Sequence, residues 1–359
     1  QVRGQLGHGA QALPLLVADA ADENALRAVC QQTRVVISTV GPYALYGSPL
    51  VKVCAETGTD YCDLTGEVPW MAQMIAAHEG TAKRTGARIV HTCGFDSVPS
   101  DLGVQYLQEQ AQAKFGAPCE NVRMRIARIK GGLSGGTVAS MLNMMREMEK
   151  DPSLKRVLTN PFVLTPQGRG IRQPNVDFMA YDHAARSWLA PFVMASINTR
   201  VVHRTNHLMG APYGKDFKYD EAMMTGPGLS GRLRAFGMAA GLGGFMVASA
   251  FKTTRHLLER YVVPKPGEGP SPQSQERGLY DLRFMGETSQ GQKITAKVTG
   301  DRDPGYGSTA KMLGEAGACL AFDLPKSETG GGFWTPAALM GDKLRSRLVQ
   351  HAGLKFDVV

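Results

Sequence analysis

The chain has 359 residues, 43% of them hydrophobic and 20% charged, with 42 glycines and 20 prolines but no collagen-like period or low-complexity run. That excludes a disordered or fibrous chain and leaves room for about two domains and a core large enough to need no staples. Lys and Arg number 40 against 32 Asp and Glu, a net charge of +8, without the dense basic block of a nucleic-acid surface; no nucleic-acid partner is expected.

The opening residues, QVRGQLGHGA, carry neither a signal-peptide pattern nor a clean helix. Periodic structure is predicted to begin abruptly at Leu13, and the chain reads as cut inside a domain. Leu13–Ala18 is predicted as a short strand ending at Asp19. Asp22–Gln31 reads as a helix capped by Asp22. Arg34–Val40 is a second buried strand, closed by Gly41 and Pro42. Ser48 caps a helix to Glu56, with Pro49 at its first position. Thr59–Leu64 is a third strand, Val68–Thr85 a long helix stopped by Gly86, Ala87–Thr92 a fourth strand and Pro99–Gln112 another helix. Val- and Ile-rich strands alternating with helices of this length predict an α/β fold, a doubly wound parallel sheet with helices on both faces.

After Gly116 the pattern changes. Asn121–Lys130 alternates apolar and basic residues, as a strand with one wet face does. Thr137–Lys150 reads as a helix, residues 151–218 as irregular, and Phe192–His203 within them as a strand. Tyr280–Glu287 and Lys293–Thr299 read as paired strands. Thr309–Leu320 and Thr335–Val349 read as closing helices. The expected organisation is therefore a parallel-sheet domain at 1–116, a second α/β domain at 117–300, and helices at 301–359 packing back on the first.

Residues 236–251, FGMAAGLGGFMVASAF, are sixteen without a charge, flanked by Arg232 and Arg234 before and Lys252, Arg255 and His256 after. The run is short and glycine-rich for a span, which needs about 20 apolar residues. A buried helix at a domain contact, a helix lying on an anionic membrane surface and a true span are the three arrangements open to it. The cysteines, Cys30, Cys54, Cys62, Cys93, Cys119 and Cys319, form no CxxC and suit neither a zinc site nor a disulfide framework; reduced thiols in a cytoplasmic protein are expected. His203 and His207, at helical spacing without HExxH, read as a surface pair, and no metal is expected.

Open parallel sheets bind ligands beyond the carboxyl ends of their strands. Polar and glycine residues gather at four predicted ends: Asp19; Ser38, Thr39, Val40, Gly41, Pro42 and Tyr43; Asp63 through Glu67; and Cys93, Gly94, Phe95, Asp96 and Ser97 through Asp101. Each has a plainer reading. Gly41 and Pro42 make a turn, Asp63, Glu67, Asp96 and Asp101 make helix caps, and Cys93 is a small buried hydrophobe.

The strings VVISTVGPYALYGSPLVKVCAETGTDYCDLTGE and GARIVHTCGFDSVPSDLGV resemble the saccharopine dehydrogenase-like oxidoreductases, and especially the trans-acting enoyl reductases of mycobacterial lipid synthesis. SGGTVASML at 134–142, APFVMASINTRVVHRTN at 190–206, KPGEGPSPQSQERG at 265–278, DPGYGSTAKMLGEAGACLAFD at 303–323 and GGFWTPAALMGDKL at 331–344 extend the resemblance over nearly the whole chain. It implies a truncated Rossmann sheet followed by a saccharopine-reductase-like α/β domain. It implies NADP or NAD as cofactor and reduction of an enoyl thioester carried by a polyketide synthase. Carried over by position, Asp19 approaches the adenine. Thr39, Val40, Gly41, Pro42 and Tyr43 run beside the pyrophosphate and nicotinamide ribose, and Gly94, Phe95 and Asp96 lie near the nicotinamide.

One departure stands out. The family's glycine-rich phosphate loop is absent, with the first βα unit and the second strand. Gly4, Gly7 and Gly9 do not replace it, since no strand precedes them and no helix follows. The chain as written is expected to bind the cofactor poorly and to be inactive alone, the activity belonging to the full protein.

Enoyl reduction needs a donor for the thioester oxygen and a proton for the α-carbon. Tyr43, at a strand end, is the first candidate donor, with packing over the cofactor as its alternative role; Asp96 and Ser97 come second. Two other functions compete. A C–N reductase of the saccharopine type would place arginines at the cleft, with Arg123, Arg125 and Arg128 as the candidates. A non-catalytic membrane-associated scaffold would use segment 236–251. The expected location is cytoplasmic, peripheral at the inner face of the plasma membrane.

Overall fold

A computed structural model of the protein describes residue 6 and residues 8–132, 135–261 and 269–359. Gly4, Gly7, Ser134 and residues 265–268 of the strings above lie outside the described residues.

Two sheets organise the chain. The first is parallel throughout, in the order β1 (Val35–Ser38), β2 (Asp60–Asp63), β3 (Arg88–Val90) and β10 (Gly332–Trp334). Its connections are α2 (Ser48–Thr57) and α3 (Val68–Thr85), preceded by α1 (Glu23–Cys30) and followed by α4 (Val98–Phe115). Asp22 caps α1 by accepting from the Asn24 and Ala25 N–H groups. Gly86 and Gly116 end α3 and α4 in the left-handed conformation, at φ 78° and 67°.

The predicted strand Leu13–Ala18 does not form. A strand needs a neighbour for its backbone N–H and C=O groups. No strand among the described residues pairs with this segment, and β1 is the edge of the sheet. Leu15, Leu16 and Val17 stand exposed, Val17 at 97%.

The second sheet runs β11 (Lys355–Val358), β9 (Lys293–Gly300), β8 (Leu279–Thr288), β4 (Cys119–Lys130), β7 (Lys218–Gly226), β6 (Ser187–Pro191), β5 (Ala180–Asp182). Only β4 and β7 pair in parallel. The C-terminal segment, expected as helices alone, adds a strand to each sheet besides α9 (Thr309–Ala318) and α10 (Gly341–His351).

Phe192–His203 is a helix rather than a strand: α6 spans Ala195–Leu208. Ile197, Val201 and Val202 carry β-propensity, but the buried residues Asn198, Val201, Val202 and Thr205 recur at helical spacing, and packing decides. The same helix corrects the reading of His203 as a surface residue. It is buried between Phe162 and Phe217, with ring centroids 4.6 and 5.7 Å away.

Helix α4 lies between the sheets. Leu102, Leu107, Met124, Phe284, Val298, Met312 and Leu344 share one core around it. Gly103 makes this approach possible, since a Cβ there would fall 2.3 Å from the Phe284 ring. Val51, Tyr61, Trp70, Ile89 and Phe333 form a second core with the parallel sheet.

Candidate functional site

A cavity of about 1670 Å³ begins at the carboxyl ends of the parallel strands, where Thr39, Gly41, Tyr43, Leu64, Gly66 and Asp96 line it. Helix α5 (Gly135–Lys150) forms one wall through Met141, Met144, Met145 and Met148. The antiparallel side supplies Tyr219, Asp220 and Glu221 from β7. Helix α7 (Gly228–Ala250) closes the far end with Ala239, Leu242, Gly243 and Met246. Ordinary small-ligand pockets hold roughly 300–1,000 Å³. This one has space for a cofactor end and a long apolar chain together, and unbranched methionines adapt to such a chain.

Local hydrogen bonds build the strand-end region. The Asp63 carboxylate accepts from the Thr65 and Thr92 N–H groups at 3.1 and 3.2 Å and lies 2.7 Å from His91 Nδ1. Glu67 stands at the start of α3 without capping it by its side chain. It accepts instead from the N–H groups of Tyr43 and Ala44 at 2.8 and 2.9 Å and from the Ser140 hydroxyl at 2.7 Å. It thereby caps the single turn Tyr43–Tyr46 and ties α5 to the parallel sheet.

Tyr43 lines the cavity, but its hydroxyl donates to the Ser38 carbonyl at 3.0 Å and accepts from the Leu64 N–H at 3.4 Å. Burial, then the charges of Asp63 and Glu67, push its phenol well up. Its proton is committed to the backbone.

Asp96 differs. It lines the cavity, burial pushes its carboxyl up to about 7, and no group among the described residues hydrogen-bonds it. Ser97 is fully buried off the cavity, its hydroxyl donating to Asn198 Oδ1 at 3.0 Å. Asp101 accepts from Thr205 and from the Ala337 N–H at 2.8 Å, so it ties α4 to the C-terminal segment.

Of the other residues singled out from sequence, Thr39 and Gly41 line the cavity. Asp19 is exposed and accepts from the Ala21 N–H, away from the cavity. Val40, Pro42, Gly94 and Phe95 also lie off its lining. The Phe95 ring packs edge-on against Tyr280 at 4.8 Å, and its N–H donates to Thr309 at 3.0 Å. Cys93 is a buried thiol that burial pushes up, the plainer of its two readings.

Sequence reasoning missed Glu221. It lines the cavity, nearly wholly buried, and burial pushes it up to about 7. Tyr219 and Asn198 donate to its two oxygens at 2.7 and 2.9 Å. Met141, Met144, Met145 and Met148 on α5 were also missed, and their helical spacing was the signal that could have found them.

The residues fit the nicotinamide end of a dinucleotide. The Gly41 backbone is exposed, with only the Tyr43 ring near a hypothetical Cβ at 3.5 Å, and Asp96 stands close by on the same lining. The pyrophosphate end finds no donor at the Tyr43–Tyr46 turn, because Glu67 already takes its N–H groups.

Residues 10–90 match the family model of the saccharopine dehydrogenase NADP binding domain. A Mycobacterium tuberculosis protein named as a trans-acting enoyl reductase is 42% identical over 359 residues, 97% of this chain and 85% of that protein. The trans-acting enoyl reductase of Mycobacterium bovis is 38% identical over 362 residues, again 97% and 85% of the two chains. The apo saccharopine dehydrogenase (L-Glu forming) of Saccharomyces cerevisiae shares the fold, with a TM-score of 0.50 over 95% of this chain and 88% of that one at 14% identity. With that domain and relatives so similar over almost its full length, the chain belongs to the saccharopine dehydrogenase-like oxidoreductases, in the branch of the trans-acting enoyl reductases, and is an NAD(P)-dependent enzyme.

Proposed function

We propose that the protein reduces the α,β double bond of an acyl thioester and holds the acyl chain along the methionine-lined wall of its cavity. One observation carries this reading. An apolar cavity of about 1670 Å³ has at its strand end Asp96, a carboxyl that burial pushes up to about 7 and that no group among the described residues hydrogen-bonds.

Thr39 and Gly41 would hold the nicotinamide, which would supply the hydride for the β-carbon. The chain's own residues do the rest. Asp96 gives its proton to the α-carbon and becomes a carboxylate, which solvent reprotonates before the next turnover. Glu221, the other cavity carboxyl pushed up to about 7, is fixed by Tyr219 and Asn198 and serves to hold the wall. Apolar walls exclude water from the developing enolate. Lys155, Arg169 and Arg172 line the cavity and are exposed. Their charge suits the phosphate of a phosphopantetheine arm, whether on coenzyme A or on a polyketide synthase carrier domain. Such a substrate fits lipid biosynthesis.

The arginines named for the saccharopine-type alternative are not at the cavity, although Arg169 and Arg172 are. Arg125 is locked between Asp182 and Asp220 at 2.9 and 2.7 Å, Arg123 faces Glu287, and neither they nor Arg128 line the cavity.

The test is isotopic. The full-length protein is incubated in D2O with NADPH and a trans-2-enoyl thioester, and the product is read by mass spectrometry and NMR. One solvent deuterium at the α-carbon and none at the β-carbon is expected. Solvent label at the β-carbon, or no saturated product, would overturn the reading.

A further inference from the structure

Helix α7 has two unlike faces. Gly231, Ala235, Ala239 and Ser249 are buried, and the helix packs on β6 and β7. A Cβ at Gly231 would fall 2.0 Å from the Gly226 carbonyl oxygen, so glycine fixes this end of the helix on the sheet. On the outer side Leu229, Leu233, Phe236 and Val247 stand 52–71% exposed, at helical spacing, with exposed Phe251 just beyond the helix end. The helical part of this apolar stripe is roughly 27 Å long. A stripe of this kind on a monomer marks an interaction surface.

Charge says what covers it. No Asp or Glu occurs in Gly228–Ala250, and the exposed cations Arg232, Arg234 and Lys252 stand at its two ends. Arg255, counted with these from the sequence, is buried and paired with Glu149 at 2.8 Å, so it adds no free charge. An apolar stripe between cationic ends suits an anionic lipid surface. The helix is long and apolar enough to cross a bilayer by length and composition. Its buried face is taken by the sheet, however, so the lipid contact runs along its side.

The stripe also meets the cavity. Phe178 lines the cavity, is itself exposed, and packs edge-on against Phe236 at 5.8 Å. Leu242, Gly243 and Met246 of the same helix form the cavity's far wall.

We propose that α7 lies on an anionic bilayer surface and opens the cavity toward it, so that a membrane-borne long-chain acyl substrate enters from the lipid side. The entry route rests on the acyl thioester reading above; the membrane contact does not.

Flotation with phosphatidylcholine vesicles, with and without phosphatidylglycerol, tests it. The wild type is compared with Leu233→Asp/Val247→Asp, two positions off the cavity lining, with circular dichroism and thermal melting to verify the fold. Wild type should float with the phosphatidylglycerol vesicles at low salt and several-fold less at high salt. The double variant should float at least tenfold less while reducing a short, soluble enoyl thioester as wild type does. It should also lose turnover of a long-chain enoyl thioester embedded in those vesicles. No flotation at low salt, or equal flotation of a folded variant, would overturn the membrane contact. So would a concentration-dependent dimer that the variant breaks without any vesicle binding. Equal turnover of embedded substrate by both proteins would overturn the entry route. A wild type that floats but reduces no soluble thioester would leave the membrane contact standing and remove the enoyl reading.

Discussion

Asp96 and Tyr43 line the same end of the cavity, yet burial acts on them in opposite chemical senses. A buried carboxyl becomes a better acid to have at neutral pH, because it keeps its proton; a buried phenol becomes a worse one. Asp96→Asn should therefore lower turnover by about 10²–10⁴-fold with unchanged cofactor affinity, read by steady-state kinetics and nicotinamide fluorescence. The protonated form is the working form, so wild-type turnover should fall as pH rises through about 7, and the variant should lack that limb. Tyr43→Phe should stay within about twofold of wild type in turnover and lose about 1 kcal/mol of stability to denaturant, because the Ser38 carbonyl loses a donor and the Leu64 N–H a long acceptor contact. His203 gives a stability test. Burial, then Arg200, lowers its imidazole to about 4 from an ordinary 6.5. Below pH 6.5 the unfolded chain takes a proton that the folded one refuses, so folding loses stability as pH falls from about 6.5 to about 4. His203→Phe should escape this loss. The difference between the two proteins should grow by on the order of 3 kcal/mol across that window in urea melts. Asp96 was legible because it follows a predicted strand. That Asp96 rather than Tyr43 is free to give a proton was not, since it depends on where one hydroxyl points.

Helix ends were legible for a local reason. Asp22 and Gly86 act on backbone groups within a few residues and do what their sequence context predicts, whereas Ser48, expected as a cap, lies inside α2 without a cap hydrogen bond, and α4 runs past Gln112 to Phe115. Two short strands, unlike β3, which follows the Gly86 stop, were not. β5 and β10 have three residues each, too few for any period to show, and β10 is defined by β3, its partner far away in sequence. Arg88 holds that long-range joint. Its guanidinium binds Asp60 and donates to the Leu324 and Leu320 carbonyls at 2.8 and 3.0 Å, wholly buried. Arg88→Ala strands the Asp60 charge with only Lys326 nearby, at 3.2 Å. It should cost about 3–5 kcal/mol in chemical denaturation, with the C-terminal segment becoming the first site of proteolysis.

At the scale of the whole molecule, two sheets of different origin enclose one cavity. The parallel sheet brings strand ends and Asp96; the antiparallel sheet brings β7 and the packing surface for α7. The alternating pattern up to residue 116 made the first visible in sequence. The second was partly hidden, because Glu221, Tyr219 and α5 meet only through pairings between distant segments. In the proposed function the methionine-lined wall holds an acyl chain while Asp96 acts at its head. Each buried methylene contributes about 0.8 kcal/mol, roughly a fourfold change in an equilibrium. The dependence of kcat/KM on acyl chain length, measured with NADPH and a series of soluble trans-2-enoyl thioesters, tests this most directly. A rise of up to about fourfold per methylene, levelling off once the chain fills the cavity, is the result the structure predicts. A profile flat from the shortest chain, or one falling with length, would contradict it.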